Sequence, residues 1–305
     1  MRWPGSVRIR EVGPRDGIQS EKAHVSTEDK IRFVDALSAC GLRRIEAVSF
    51  VSPKAVPQMA DARAVWDGIK KNPKVFYSAL VPNRKGAEIA AECGVDGMQV
   101  FIATTDSYNL KNVGKAVADS MADVAEVVAV GRAAGIPVEA TISTAFGDPY
   151  EGDVEPSRVL EVARRVAGEG IGAISYGDTT GMATPARVLG LVEVLRDGLP
   201  DVEINLHFHD TRGTGLANVL AALEASVDYF DASAGGMGGS PFAEGATGNV
   251  VTEDLVHMLE DMGISTGIDL DRLLDAVRIA QGFVPGELPS KVLRAGPRWA
   301  TDRVH

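Results

Sequence analysis

The chain has 305 residues, of which 45% are hydrophobic and 24% charged, with a formal net charge of −11. That balance suits a soluble globular enzyme and argues against a nucleic-acid partner, since no basic block is present to neutralise phosphates. No apolar run approaches membrane-spanning length, and the two cysteines, Cys40 and Cys93, read as buried free thiols rather than as a cysteine-built zinc site.

In chain order, the N-terminus enters a first strand at Val7–Val12, which leaves no room for a signal or transit peptide and predicts a cytoplasmic location. That strand runs into Gly13-Pro14-Arg15-Asp16-Gly17, and a helix follows at Thr27–Cys40, with Ser26 as a capping hydroxyl. The second strand, Arg44–Phe50, carries Glu46 and precedes a helical window at Asp61–Lys71. Strand and helix then alternate through Val75–Val81 and Arg84–Cys93, Gly97–Ala103 and Val117–Ala134, and Pro137–Ser143 and Glu155–Gly168. The sixth strand, Ala173–Gly177, leads into Asp178 and a helix at Thr184–Asp197, with Thr184 before Pro185 as its start signal. The seventh, Glu203–His209, precedes a helix at Gly215–Ser226. The eighth, Tyr229–Ala234, opens a glycine-rich segment that ends at Asn249. Helices near Thr252–Met262 and Leu270–Gln281 follow.

A repeat of about thirty residues per strand–helix unit predicts βαβ units and a parallel sheet. Eight such strands predict a single-domain (β/α)₈ TIM barrel over 1–305, with an additional C-terminal helical segment. An open doubly wound sheet is the alternative. The Pro-, Gly-, Arg- and Lys-rich stretch from Gly282 to His305 reads as a tail, an oligomer contact or a flap.

In such a barrel, chemistry gathers at the C-terminal ends of the strands. The chain has five histidines, and two of them, His207 and His209, stand two apart on the seventh strand. A strand's period of two puts both imidazoles on one face, while Leu206 and Phe208 point to a hydrophobic layer. Barrel closure makes strands seven, eight and one neighbours, which would bring Asp16 and Asn249 to the histidines. That mixed nitrogen and oxygen set suits an octahedral divalent ion, Mg²⁺ or Mn²⁺, although imidazole also accepts Zn²⁺ or Co²⁺. Plainer roles stay open: Asp16-Gly17 as a turn, Asn249 as a helix cap. Arg15 either pairs with Glu46 or Glu11, or holds a developing oxyanion. Asp178 is either a general base or a bridge to Arg15. The glycines around Ser240-Pro241-Phe242 suggest a flap over a bound substrate.

Several long stretches resemble the hydroxymethylglutaryl-CoA lyase family of metal-dependent barrels, related to isopropylmalate and homocitrate synthases. The resemblance spans about Val7 to Gly267 and is densest in Glu11-Val12-Gly13-Pro14-Arg15-Asp16-Gly17, Ser49-Phe50-Val51-Ser52-Pro53-Lys54, Val56-Pro57-Gln58-Met59, Pro149-Tyr150-Glu151-Gly152, His207-Phe208-His209-Asp210 and Gly238–Asn249 with Thr252-Glu253-Asp254-Leu255. It implies Asp16, His207, His209 and Asn249 as metal ligands. It also implies Arg15 as the group that stabilises an enolate, Asp178 as base for the substrate hydroxyl, and Glu46 as a supporting acid. The implied reaction is retro-Claisen cleavage of a 3-hydroxyacyl-CoA thioester, with acetoacetate and acetyl-CoA as products of the parent substrate. A homodimer is a family-level expectation.

The chain departs from the family at Ser240, which stands where the family's loop carries a cysteine that acts in proton transfer. Ser240 relays a proton or orients a water, the loop contributes closure alone, or the site serves another branched 3-hydroxyacyl-CoA. Two further functions compete: an acetyl-CoA-dependent condensing synthase, and a CoA- or metal-binding barrel impaired by Ser240. Lys22, Lys54, Lys111 and Arg84 are the cations that would meet CoA phosphates, if they are not plain surface charges.

Overall fold

Alternation along each strand decides what this barrel holds. Side chains pointing outward, such as Ile45, Val100, Ile142, Ile174, Leu206 and Phe230, are buried against the helices. Those pointing inward include Arg10, Gln99, Thr141, Asn205 and Asp231, so the barrel's interior is polar below its mouth and must be internally hydrogen-bonded.

A computed structural model describes residues 3–239 and 248–300. Its strands are β1 (Arg8–Glu11), β2 (Arg44–Ser49), β3 (Phe76–Leu80), β4 (Gly97–Ala103), β5 (Val138–Ser143), β6 (Ala173–Asp178), β7 (Glu203–Phe208) and β8 (Tyr229–Ala232). They form one closed barrel in sequence order, all parallel, with β8 pairing back on β1 from Arg8 opposite Tyr229 to Glu11 opposite Ala232. The predicted barrel is therefore present, and the open sheet is not.

The helices are α1 (Thr27–Ser38), α2 (Ala62–Gly68), α3 (Arg84–Cys93), α4 (Asp106–Val113), α5 (Val117–Ala134), α6 (Pro156–Gly168), α7 (Pro185–Gly198), α8 (Gly215–Glu224), α9 (Thr252–Asp261), α10 (Leu270–Gln281) and α11 (Lys291–Ala295). Ser26 caps α1 as expected, accepting a bond from the Asp29 amide at 3.1 Å. Thr184 occupies the cap position of α7 but makes no side-chain cap bond. No described helix is long and apolar enough to cross a membrane.

The segment after Gly282 is docked rather than free. Leu288 and Val292 are buried, and Asp254 accepts bonds from the amides of Lys291 and Val292. Leu288 and Pro289 back the turn Ala234–Gly236 so closely that side chains at Gly235 or Gly236 would collide with them. Residues 301–305 lie outside the described residues.

One buried carboxylate ties β1 to that same turn. Glu11, fully buried, accepts bonds from the amides of Gly13 (2.7 Å) and Ala234 (2.9 Å) and from the Thr252 hydroxyl (2.7 Å). Burial pushes its carboxyl up to about 7 against these three donors. Glu11→Ala strands all three, so unfolding free energy in a denaturant titration is expected to fall by at least about 3 kcal/mol, given about 1–3 kcal/mol per buried unsatisfied group. A loss below about 1 kcal/mol would mean that water replaces the carboxylate.

Candidate metal centre

Three local devices bring the site together at the C-terminal mouth of the barrel. After β1, Gly13–Gly17 forms a single π-type turn in which the Val12 carbonyl accepts bonds from the amides of Asp16 (2.7 Å) and Gly17 (3.3 Å). This wide turn projects Arg15 and Asp16 over the mouth. At the end of β7, strand alternation turns His207 and His209 into the barrel. From Gly248 onward the chain runs extended between the ends of β7 and β8: Val250 donates to Phe208 (2.9 Å), Ser233 donates to the Val250 carbonyl (3.0 Å), and Asn249 pairs with His209. Gly248 makes this path possible, because a Cβ there would fall 1.6 Å from the Gly236 carbonyl oxygen.

The result is a cluster in which ligand atoms of Asp16, His207 and His209 lie within 4.8 Å of one another. The Nε2 atoms of the two histidines face each other at 3.2 Å. Asn249 is 1% exposed, and its amide nitrogen donates to Asp16 Oδ2 (2.8 Å) and to the Met237 carbonyl (3.0 Å). Its Oδ1 is buried with no hydrogen-bond partner among the described residues. A buried amide oxygen left unpaired is costly. With both N–H groups anchored, that oxygen can serve only as an acceptor or a ligand. Two imidazole nitrogens and a carboxylate oxygen thus suit a divalent cation, with the unpaired amide oxygen of Asn249, a side chain bonded to Asp16, as a further candidate donor. The reading of Asn249 as a helix cap does not hold, since Val251 precedes α9 and no side chain caps it.

The ring of His207 is fixed from behind. Its Nδ1 lies 3.0 Å from Asp231 Oδ2, so a proton held there leaves Nε2 as the lone pair facing the cluster. Burial alone would lower the His207 pKa, but the Asp231 carboxylate outweighs it and the net shift is upward. Asp16 behaves in the opposite sense. Burial would raise it, yet Arg15 and the two histidines bring it down to about 2, so it is ionised at neutral pH.

Arg15 faces the cavity and makes the ion pair that the plainer reading offers. Its Nε donates to Glu46, its Nη1 donates to Asp16 Oδ1 at 2.7 Å, and it lines the cavity. Burial opposes its charge, but the carboxylates of Glu46 and Asp16 keep its pKa above the ordinary value. Glu11, the other candidate partner, is turned to the backbone instead.

Asp178 is placed differently from the expectation. Ser175 and Gly177 face the barrel interior, so alternation turns Asp178 outward, and it is not among the residues lining the cavity. Its Oδ1 accepts the amides of Met182 (2.7 Å) and Ala183 (2.9 Å), fastening the turn after β6, while Oδ2 has no partner among the described residues. Neither does it bridge Arg15. Burial raises its carboxyl to about 7. Ser240 lies outside the described residues; Gly239, just before it, lines the cavity.

The cavity measures about 610 Å³. Its far wall includes Tyr108 and Asn112, one turn apart on the same face of α4, a helix the sequence reading missed. Of the four candidate phosphate contacts, Lys22 lines the mouth. Lys54 and Lys111 are exposed beside the lining residues Ala55 and Asn112. Arg84 lies on α3, paired with Glu88 at 2.8 Å. Asp231 was also missed. An acidic residue on β8 in register with His207 was the available signal.

Comparison with known proteins bears on this constellation. The family model described as HMGL-like matches residues 6–279. The chain belongs to the HMGL-like family. Among curated relatives of this HMGL-like chain, the hydroxymethylglutaryl-CoA lyase YngG of Bacillus subtilis is 43% identical over 96% of this chain and 98% of its own. A 3-hydroxy-3-isohexenylglutaryl-CoA/hydroxymethylglutaryl-CoA lyase of Pseudomonas aeruginosa is 44% identical over 90% of this chain and 92% of its own. The solved structure of an HMG-CoA lyase from A. baumannii, in complex with coenzyme A and 3-methylmalate, superposes with a TM-score of 0.93 at 40% identity, covering 98% of both chains. The HMGL-like relatives thus match this barrel along nearly its whole length.

Proposed function

We propose that this protein is a divalent-metal-dependent carbon–carbon lyase that cleaves 3-hydroxy-3-methylglutaryl-CoA to acetoacetate and acetyl-CoA. The observation that carries the reading is the convergence of Asp16, His207 and His209 beside Arg15, with Asn249 bonded to Asp16 and its own oxygen unpaired, in a chain whose relatives bear that activity in their names. Mg²⁺ or Mn²⁺ is the ion proposed for this oxygen-containing set.

In the reaction, the tertiary hydroxyl of the substrate passes its proton to water in the cavity and the C2–C3 bond breaks. The hydroxyl carbon becomes the ketone of acetoacetate, and the bonding pair passes to the thioester enolate. Protonation of that enolate at carbon gives acetyl-CoA. A divalent cation held by the four ligands supplies Lewis acidity toward substrate oxygens. Arg15 meets the charge that develops on the enolate oxygen, held in place by Glu46 and Asp16. Asp178 acts one step removed, by holding the turn that places Thr179 in the cavity wall. Ser240, following Gly239, is the hydroxyl assigned to orienting the proton source. Lys22 is the assigned contact for a CoA phosphate, and cytoplasm is the assigned location.

The test is acetyl-CoA formation from hydroxymethylglutaryl-CoA by protein loaded with Mg²⁺ or Mn²⁺. Turnover that EDTA abolishes and added metal restores is the expected result. Turnover only of a thioester with a longer 3-alkyl branch would move the substrate assignment, and metal-independent turnover would sink the metal's role.

A further inference from the structure

We infer that Arg10 is a positioning residue for the metal centre, acting through Asp231 on the ring of His207. The inference rests on the proposed metal-binding role of His207 and assigns a function to a side chain that does not line the cavity.

Arg10 lies on β1 inside the barrel, 1% exposed, beneath the site. Its Nε donates to Asp231 Oδ1 at 2.8 Å and its Nη2 to Oδ2 at 2.7 Å, a two-point grip that fixes the plane of the carboxylate. The same carboxylate accepts Asn205 Nδ2 (2.7 Å), Ser175 Oγ (3.1 Å) and, on Oδ2, His207 Nδ1 (3.0 Å). Asp231 therefore cannot swing without breaking the grip, and the imidazole it holds cannot turn without losing Asp231.

The third arm of the guanidinium reaches the other side of the floor. Arg10 Nη1 donates to Gln99 Oε1 (2.7 Å) and Glu139 Oε2 (3.0 Å), and Gln99 in turn donates to Thr141 Oγ1 (2.8 Å), which lines the cavity. One buried cation thus spans from the backing of a metal ligand to the cavity floor. Mere neutralisation of Asp231 would need a positive charge. Aiming it needs a fork, which a lysine lacks.

That difference supplies the test. Mn²⁺ titrations of chelator-stripped protein, followed by electron paramagnetic resonance, would compare the wild type, Arg10→Lys, Asp231→Asn and the double variant, each checked for folding by circular dichroism. Arg10→Lys is expected to weaken Mn²⁺ about tenfold and Asp231→Asn about 10–100-fold, the range for partners of metal ligands. In the Asp231→Asn background, Arg10→Lys should add less than about twofold, because its route to His207 is already cut. If Arg10→Lys does not fold, Arg10→Gln, which retains donors without the charge, takes its place.

Wild-type affinity in Arg10→Lys, or losses that multiply in the double variant, would overturn the inference and leave the metal reading intact. A wild-type protein that binds no Mn²⁺ would overturn both. The pattern above in a protein that does not cleave hydroxymethylglutaryl-CoA would support the inference and refute only the substrate.

Discussion

His207→Ala is expected to lower Mn²⁺ affinity by more than about 100-fold, since removing a ligand should exceed the roughly 10–100-fold cost of disturbing a ligand's partner. Lyase activity at limiting metal should fall at least as far. The loss should fall on the site rather than on the fold. Asp231, which the substitution deprives of one partner, still accepts two bonds from Arg10 and one each from Asn205 and Ser175. The vacated space opens onto the water-accessible cavity, so it leaves no dry void. A melting temperature near the wild type together with the affinity loss is the expected combination. Unchanged Mn²⁺ affinity would remove His207 from the ligand set, and with it the explanation for two imidazole nitrogens meeting at 3.2 Å.

Much of this is legible in the sequence alone because it depends on short-range periodicity. The eight strands announce themselves as β-branched runs at regular spacing, and their closure follows from counting them. His207 and His209 are paired by the strand period alone. Asn249 needed closure as well, since it lies far from Asp16 in sequence and meets it only through the β7–β8–β1 seam. What stayed hidden has a common cause. The Arg10–Asp231 contact joins residues 221 positions apart, and neither belongs to a motif that announces chemistry. Helix α4 was missed because Asp106–Val113 is short and mostly polar, with no apolar stripe to read. Asp178 ends a strand at the mouth, and its Oδ1 is taken up by the turn after β6 rather than by Arg15, a contact that strand position alone does not announce. Ser240, at the departure from the family pattern, lies outside the described residues.

Arg15→Gln is expected to lower kcat by about 100- to 1,000-fold, the cost of losing one donor to a developing oxyanion. KM should move little, because the charge that Arg15 meets arises as the C2–C3 bond breaks. The substitution has a second consequence that must be separated from the first. Glu46 is fully buried, its Oε1 is held by Arg15, and its Oε2 has no partner among the described residues. Removing the guanidinium strands that carboxylate, and breaking a buried pair costs about 3–5 kcal/mol. A slow Arg15→Gln enzyme could therefore be merely an unstable one. Adding Glu46→Gln removes the stranded charge, and two amides can bond each other where the ion pair stood. The double variant should regain most of the lost melting temperature and none of the lost kcat. Recovery of both together would make Arg15 a structural ion-pair partner and would leave the enolate without its proposed cation.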